Sequence, residues 1–123
     1  MFNFEKLDVW QKAIDFADLV YNKTRAFPSD ERFGLTNQLR RAAVSISSNI
    51  AEGSSRSSKS DFARFVEIAT GSVFELVSQA FIAHCEGFLS EDQFRKIYTD
   101  AEELSRMPSG LRKSLLSTLH FQP

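Results

Sequence analysis

The chain predicts an all-α fold, an antiparallel up-down-up-down four-helix bundle, and three observations carry that expectation. Apolar residues recur at the three-and-four spacing of an α-helix in four separate segments. No segment alternates apolar and polar residues long enough to argue a strand. The connections between the helical segments are short, which sets neighbouring helices antiparallel. The chain has 123 residues, of which 42% are hydrophobic and 12 are Phe, and no compositional break divides it, so one domain over 1–123 is expected. A domain of this size buries roughly two-thirds of its unfolded surface.

The first helix is expected over about 5–26. Leu7, Trp10, Ala13, Ile14, Ala17, Val20 and Tyr21 share one side at helical spacing, and Val9, Phe16 and Phe27 widen it to about half the cylinder. Phe27-Pro28 ends the helix, because a residue before proline is pushed away from helical dihedrals. The second helix is expected over about 30–52, with Ser29 as N-cap and Asp30 and Glu31 in the first turn. Leu35, Leu39, Ala42, Ala43, Ile46 and Ile50 form its narrow apolar stripe, and Gly53 is read as its stop.

Ser54 to Ser60 is a short polar connection to a third helix over about 58–86, closed by Gly87. Phe62, Phe65, Val66, Ala69, Val73, Leu76, Val77, Ala80 and Ala83 make its main apolar face. Phe74 and Phe81 with Ala63 lie outside that face, and Ile68 and Ile82 lie farther round. The fourth helix, over about 90–118, opens on a capping box in which Ser90 and Gln93 serve each other's backbone donors. Phe94, Ile97, Tyr98, Ala101 and Leu104 are its buried face. A break or kink is expected near Pro108, and Leu111, Leu115, Leu116 and Leu119 resume the pattern.

Composition excludes several function classes. Fifteen Lys and Arg against 16 Asp and Glu give a net charge of −1, so the chain is neither a uniformly basic nucleic-acid coat nor an acidic tail. A single cysteine cannot build a disulfide framework or a cysteine-based zinc cage. No apolar run approaches the roughly 20 residues of a membrane span. Met1 to Lys12 lacks the apolar core of a secretory signal. The expectation is a cytoplasmic protein with no membrane partner.

The apolar faces of the first and third helices are wider than one four-helix core needs. Exposed, such surface marks an association site, so the chain is expected to bind copies of itself. Phe16, Phe74 and Phe81 are the candidate contacts between copies.

Two polar groupings are candidate sites. Arg40, Arg41, Arg56, Lys59 and Arg64 are read as gathering around the turn between the second and third helices, where phosphate contacts of RNA or DNA would give affinity without sequence reading. With no exposed aromatic platform among them, sequence-specific single-strand reading is not expected. Gln38, Arg41, Ser45, Asn49 and Glu52 form a polar ridge beside the stripe of the second helix. Arg41 and Glu52 stand about three turns apart, so each needs a partner from another helix, another subunit or a ligand. The ridge is either a ligand-facing seam or a structural network; the small residues Ala42, Ala43, Ser45, Ser48 and Ala51 favour the second.

No catalytic constellation, metal-ligand spacing or cofactor motif stands out. His84 and Cys85 are adjacent and diverge by about 100° on a helix, poor geometry for a shared metal, and His84 is read as a packed histidine. The Gly53 to Ser60 string lacks phosphate-loop spacing and follows a helix. The expectation is therefore no enzyme, no metal and no cofactor. An enzyme or small-molecule binder uniting His84, Glu75 or Arg41 in one pocket is the lesser alternative.

Several strings occur in a familiar order: Leu7 to Ala13 (LDVWQKA), Phe27-Pro28, Gln38 to Ile46 (QLRRAAVSI), Asn49 to Gly53 (NIAEG), Ala69 to Ser72 (ATGS) and Glu75-Leu76. From about Phe4 to Leu104 the sequence resembles the 23S rRNA intervening-sequence proteins, which in turn are similar to the accessory variability determinant of diversity-generating retroelements. The resemblance implies an antiparallel four-helix bundle that assembles as a homopentameric ring, and for the retroelement relative a basic pentamer working with a reverse transcriptase and nucleic acid. It implies no catalytic residues. At Met107-Pro108 the sequence departs from the family's continuous apolar helix. The resulting expectation is a non-enzymatic, self-assembling, nucleic-acid-associated module; the alternative is a structural adaptor for a protein such as a polymerase.

Overall fold

A computed structural model describes the backbone of residues 1–121 and the side-chain surroundings of residues 1–106. It contains four α-helices, α1 (Asp8–Thr24), α2 (Leu35–Ser54), α3 (Lys59–Cys85) and α4 (Glu91–Phe121), with short 3-10 turns at Asn3–Lys6 and Ser29–Glu31. There is no strand among the described residues. Each α-helix packs on its neighbour in the chain, and α4 closes against α1. One apolar core fills the interior. Ala13 and Val20 of α1, Leu39 and Ile46 of α2, Leu76 of α3 and Ile97 of α4 are all fully buried in it.

The termini follow local chemistry, with two departures from the sequence expectation. The second helix begins at Leu35 instead of about residue 30. Ser29 opens the 3-10 turn, and the Glu31 carboxylate turns back to accept the Leu35 N–H at 3.2 Å. Gly34 permits that approach, because a Cβ there would stand 2.7 Å from Glu31 Oε2. At the other end, Gly53 is not a stop but a buried residue inside α2. A Cβ on it would lie 2.7 Å from Phe65 Cβ, so its role is to let α2 and α3 touch.

Three other caps form, those at Gly87 and Ser90 as expected. Ser58 Oγ accepts the Asp61 N–H at 3.0 Å to open α3. Gly87 closes it in a left-handed conformation (φ 79°), with Phe88 N–H bonded to the Ala83 carbonyl and Gly87 N–H to that of His84. Ser90 and Gln93 exchange their capping-box bonds at 2.9 and 3.2 Å. Across the array, Lys12 of α1 donates to Glu103 of α4 at 3.0 Å. That bond, with the charges of Glu103 and Asp8, holds the ammonium above its ordinary value.

The helix α4 continues through Pro108 as one element, so the expected break is absent. A proline removes one helical bond and bends the helix locally, which a long helix survives. The side chains of the Leu111, Leu115, Leu116 and Leu119 stripe lie outside the described residues.

Candidate nucleic-acid interface

The five basic residues that looked like one cluster fall into two groups. Arg56, Lys59 and Arg64 stand at the α2–α3 turn, whereas Arg40 and Arg41 lie some 15 residues earlier on α2, about 22 Å along its axis. The two groups also differ in how far their charges are paired. At the turn, Arg56 pairs with Glu52 at 3.0 Å and Arg64 with Asp61 at 3.6 Å. Both guanidinium groups sit over the Phe65 ring, at 4.6 and 5.2 Å from its centroid. These cations are largely spoken for.

The other group opens onto a cleft of about 490 Å³ between α1 and the outer face of α2. Thr36 and Arg40, like Asn37 and Arg41, are one turn apart and line the same wall, with Val44 and Ser45 beyond them. Arg40 is tied to α1: its Nε donates to Thr24 Oγ1 at 2.9 Å and Nη2 to the Tyr21 carbonyl at 3.3 Å. Its guanidinium lies 4.6 Å from the Tyr21 ring centroid. Arg41 is exposed and makes no ion pair or hydrogen bond within the described residues. Arg32, beside Phe33 at 5.6 Å, adds a third guanidinium, and no carboxylate lines the cleft.

Arg32 and Phe33 are site residues that sequence reading missed. The expected helix start at about residue 30 placed them on a helix; the start at Leu35 leaves them in the connection, with Phe33 86% exposed. That ring is an exposed aromatic among the arginines, contrary to the expectation that none exists. The available signal was Gly34, with Phe33 just outside the Leu35-Leu39-Ala42 stripe.

The polar ridge is divided as well. Glu52 needs no distant partner, since Arg56 one turn away supplies it. Asn49 Nδ2 donates to the Ser45 carbonyl at 2.8 Å, and the Ser45 hydroxyl meets that of Ser72 on α3 at 2.9 Å. Ser45 and Asn49 therefore belong to an α2–α3 hydrogen-bond network, while Gln38 is exposed and Arg41 faces the cleft. His84, Glu75 and Arg41 are not brought together. His84 stacks on Phe94 and contacts the Leu89 carbonyl at 3.1 Å and Glu91 at 3.2 Å, and Glu75 accepts from Gln79 at 3.1 Å.

Of the three proposed contact phenylalanines, Phe16 is corrected. It is only 2% exposed, because α1 is covered by both α2 and α4 and its wide apolar face is used internally. Phe74 and Phe81 are 66% and 48% exposed, beside Ile82 and the α4 residue Tyr98.

Together these features define a small all-α protein with an outward apolar face and, among the described residues, an arginine cleft that no carboxylate lines. The chain belongs to the 23S rRNA-intervening sequence protein family, whose profile matches residues 5–110. Among solved structures, a protein of unknown function from the S23 ribosomal protein family of Bacteroides thetaiotaomicron VPI-5482 is similar, with a TM-score of 0.76 at 22% identity. The match covers 85% of this chain and 98% of that one, and at such identity the likeness concerns the fold. No curated protein matches the chain.

Proposed function

We propose that this protein is a non-enzymatic, self-assembling antiparallel four-helix bundle that closes into a homopentameric ring and carries nucleic acid on repeated basic surfaces. The observation that supports it is the outer face of α3. Contrary to the expectation that no segment approaches a membrane span, that helix is long and apolar enough to cross a membrane by length and composition, yet only 39% of its most apolar 18-residue window is buried within the chain. The remainder includes Ile68, Phe74, Phe81 and Ile82, an apolar surface that a second copy would cover. Repetition around a ring would multiply the field of Arg41 and its neighbours although one chain is nearly neutral.

Sedimentation velocity at micromolar concentration tests the reading. The wild-type chain is expected to sediment as a closed oligomer, and Phe74→Glu as a monomer with unchanged helical circular dichroism. A wild-type monomer, or partition of the chain into lipid vesicles, overturns it.

A further inference from the structure

The cleft between α1 and α2 holds three things that rarely meet on an ordinary solvated surface. The first is positive charge without compensation: Arg32, Arg40 and Arg41 line it, and no carboxylate does. Guanidinium groups recognise phosphate by paired N–H bonds, and each carries five donors. Arg40 spends two of its own on Thr24 and Tyr21, which fixes its position and leaves the rest open.

The second is a ring with one side free. Phe33 is 86% exposed at the rim, with Arg32 beside it, and Val44, 43% exposed, continues the apolar wall. An exposed aromatic next to arginines is the arrangement on which an unstacked base lies. The third is Thr36, which lines the cleft at only 8% exposure and whose buried hydroxyl has no partner among the described residues. A buried hydroxyl is costly until something bonds to it. A volume of about 490 Å³ falls in the ordinary range for a bound small molecule.

We propose that this cleft binds one nucleotide unit, its phosphate held by Arg41 and Arg40 and its base stacked on Phe33. Phosphate alone leaves the ring unused, and an acidic side chain has no planar group to lay on it; a nucleotide uses both. The unit is either a free nucleotide or one residue of a single strand, which present the same chemistry. The inference deepens the nucleic-acid part of the proposed function and is independent of self-assembly, because Phe33 and Arg41 are not on the outer face of α3.

Isothermal titration at low salt with adenosine 5′-monophosphate, inorganic phosphate, adenosine and a single-stranded oligoadenylate tests it on the full chain. The monophosphate is expected to bind more tightly than phosphate or adenosine. Arg41→Glu should weaken both the monophosphate and the oligonucleotide at least about tenfold, and Arg41→Gln should act in the same direction if charge is the cause. Phe33→Ala should cost about tenfold, the order of one lost base stack, and bring the monophosphate to the level of phosphate. An oligonucleotide that binds much more tightly than the monophosphate, with affinity falling steeply in salt, identifies a strand as the source; equal affinities identify the free nucleotide.

Two results overturn the proposal. One is no saturable binding of any phosphate-bearing probe at millimolar concentration. The other is binding that survives Phe33→Ala and Arg41→Glu but is lost in Arg56→Glu with Lys59→Glu. This second result would leave the nucleic-acid reading standing and move it to the α2–α3 turn.

Discussion

Two arginine-rich regions at opposite ends of α2 behave in opposite ways. At the α2–α3 turn, Arg56 and Arg64 have carboxylates one helical turn away or less and a shared phenylalanine beneath them. In the cleft, Arg32 and Arg41 have no carboxylate partner, and Arg40 bonds to neutral groups, a hydroxyl and a carbonyl. Both regions are basic in sequence. At the turn both arginines are paired and Lys59 alone has no ion pair among the described residues, whereas the cleft sets three guanidinium groups together with no carboxylate in its lining; a pair of opposite charges at surface spacing presents little net field. Density of Lys and Arg along a chain is thus a poor guide to free positive charge; what lies one turn away matters more.

That contrast can be broken at several points, all compared at one protein concentration because the proposed assembly would add to apparent stability. Gly53→Val should act most strongly. It forces a side chain into Phe65 and Phe62 beneath the turn, and urea melts should show a loss of about 1–3 kcal/mol. A melt equal to wild type would mean that α2 and α3 are not in contact there.

Arg40→Ala comes next. It removes two charge-assisted bonds to α1 and the contact with Tyr21, with an expected loss of about 1–2 kcal/mol. Arg56→Ala, the matching change at the turn, should stay within about 0.5 kcal/mol, since exposed helix ion pairs contribute little. Equal losses at the two sites would erase the distinction between a fixed cleft and a solvated turn. Thr36→Val is the most diagnostic in sign. The hydroxyl it removes is buried without a partner among the described residues, so the unliganded protein should gain up to about 1 kcal/mol. A marked loss would reveal a partner for that group.

Much of the fold was legible because it depends on near neighbours. The apolar stripes of α2 and α4, the Ser90–Gln93 box and the Gly87 stop involve residues within a few positions of one another. The start of α2 was misplaced because Ser29, a good cap in isolation, loses to the Glu31 carboxylate folded back over Gly34. Glu52–Arg56 was within reach of the four-residue rule and was overlooked.

The sequence by itself determined four amphipathic helices, their order, most of their ends and the family to which the chain belongs. Periodicity and capping carry this information because a helix is built from bonds three and four residues apart. Tertiary structure alone decided which apolar surface is spent and which charge is free. Phe16 vanished into the core because α1 has two neighbours to cover it, whereas Phe74 stayed outside. Arg40 became fixed by groups 16 and 19 residues away, and Phe33 came to stand beside the arginine cleft. Burial and pairing of that kind depend on which helices meet, and no local pattern states it.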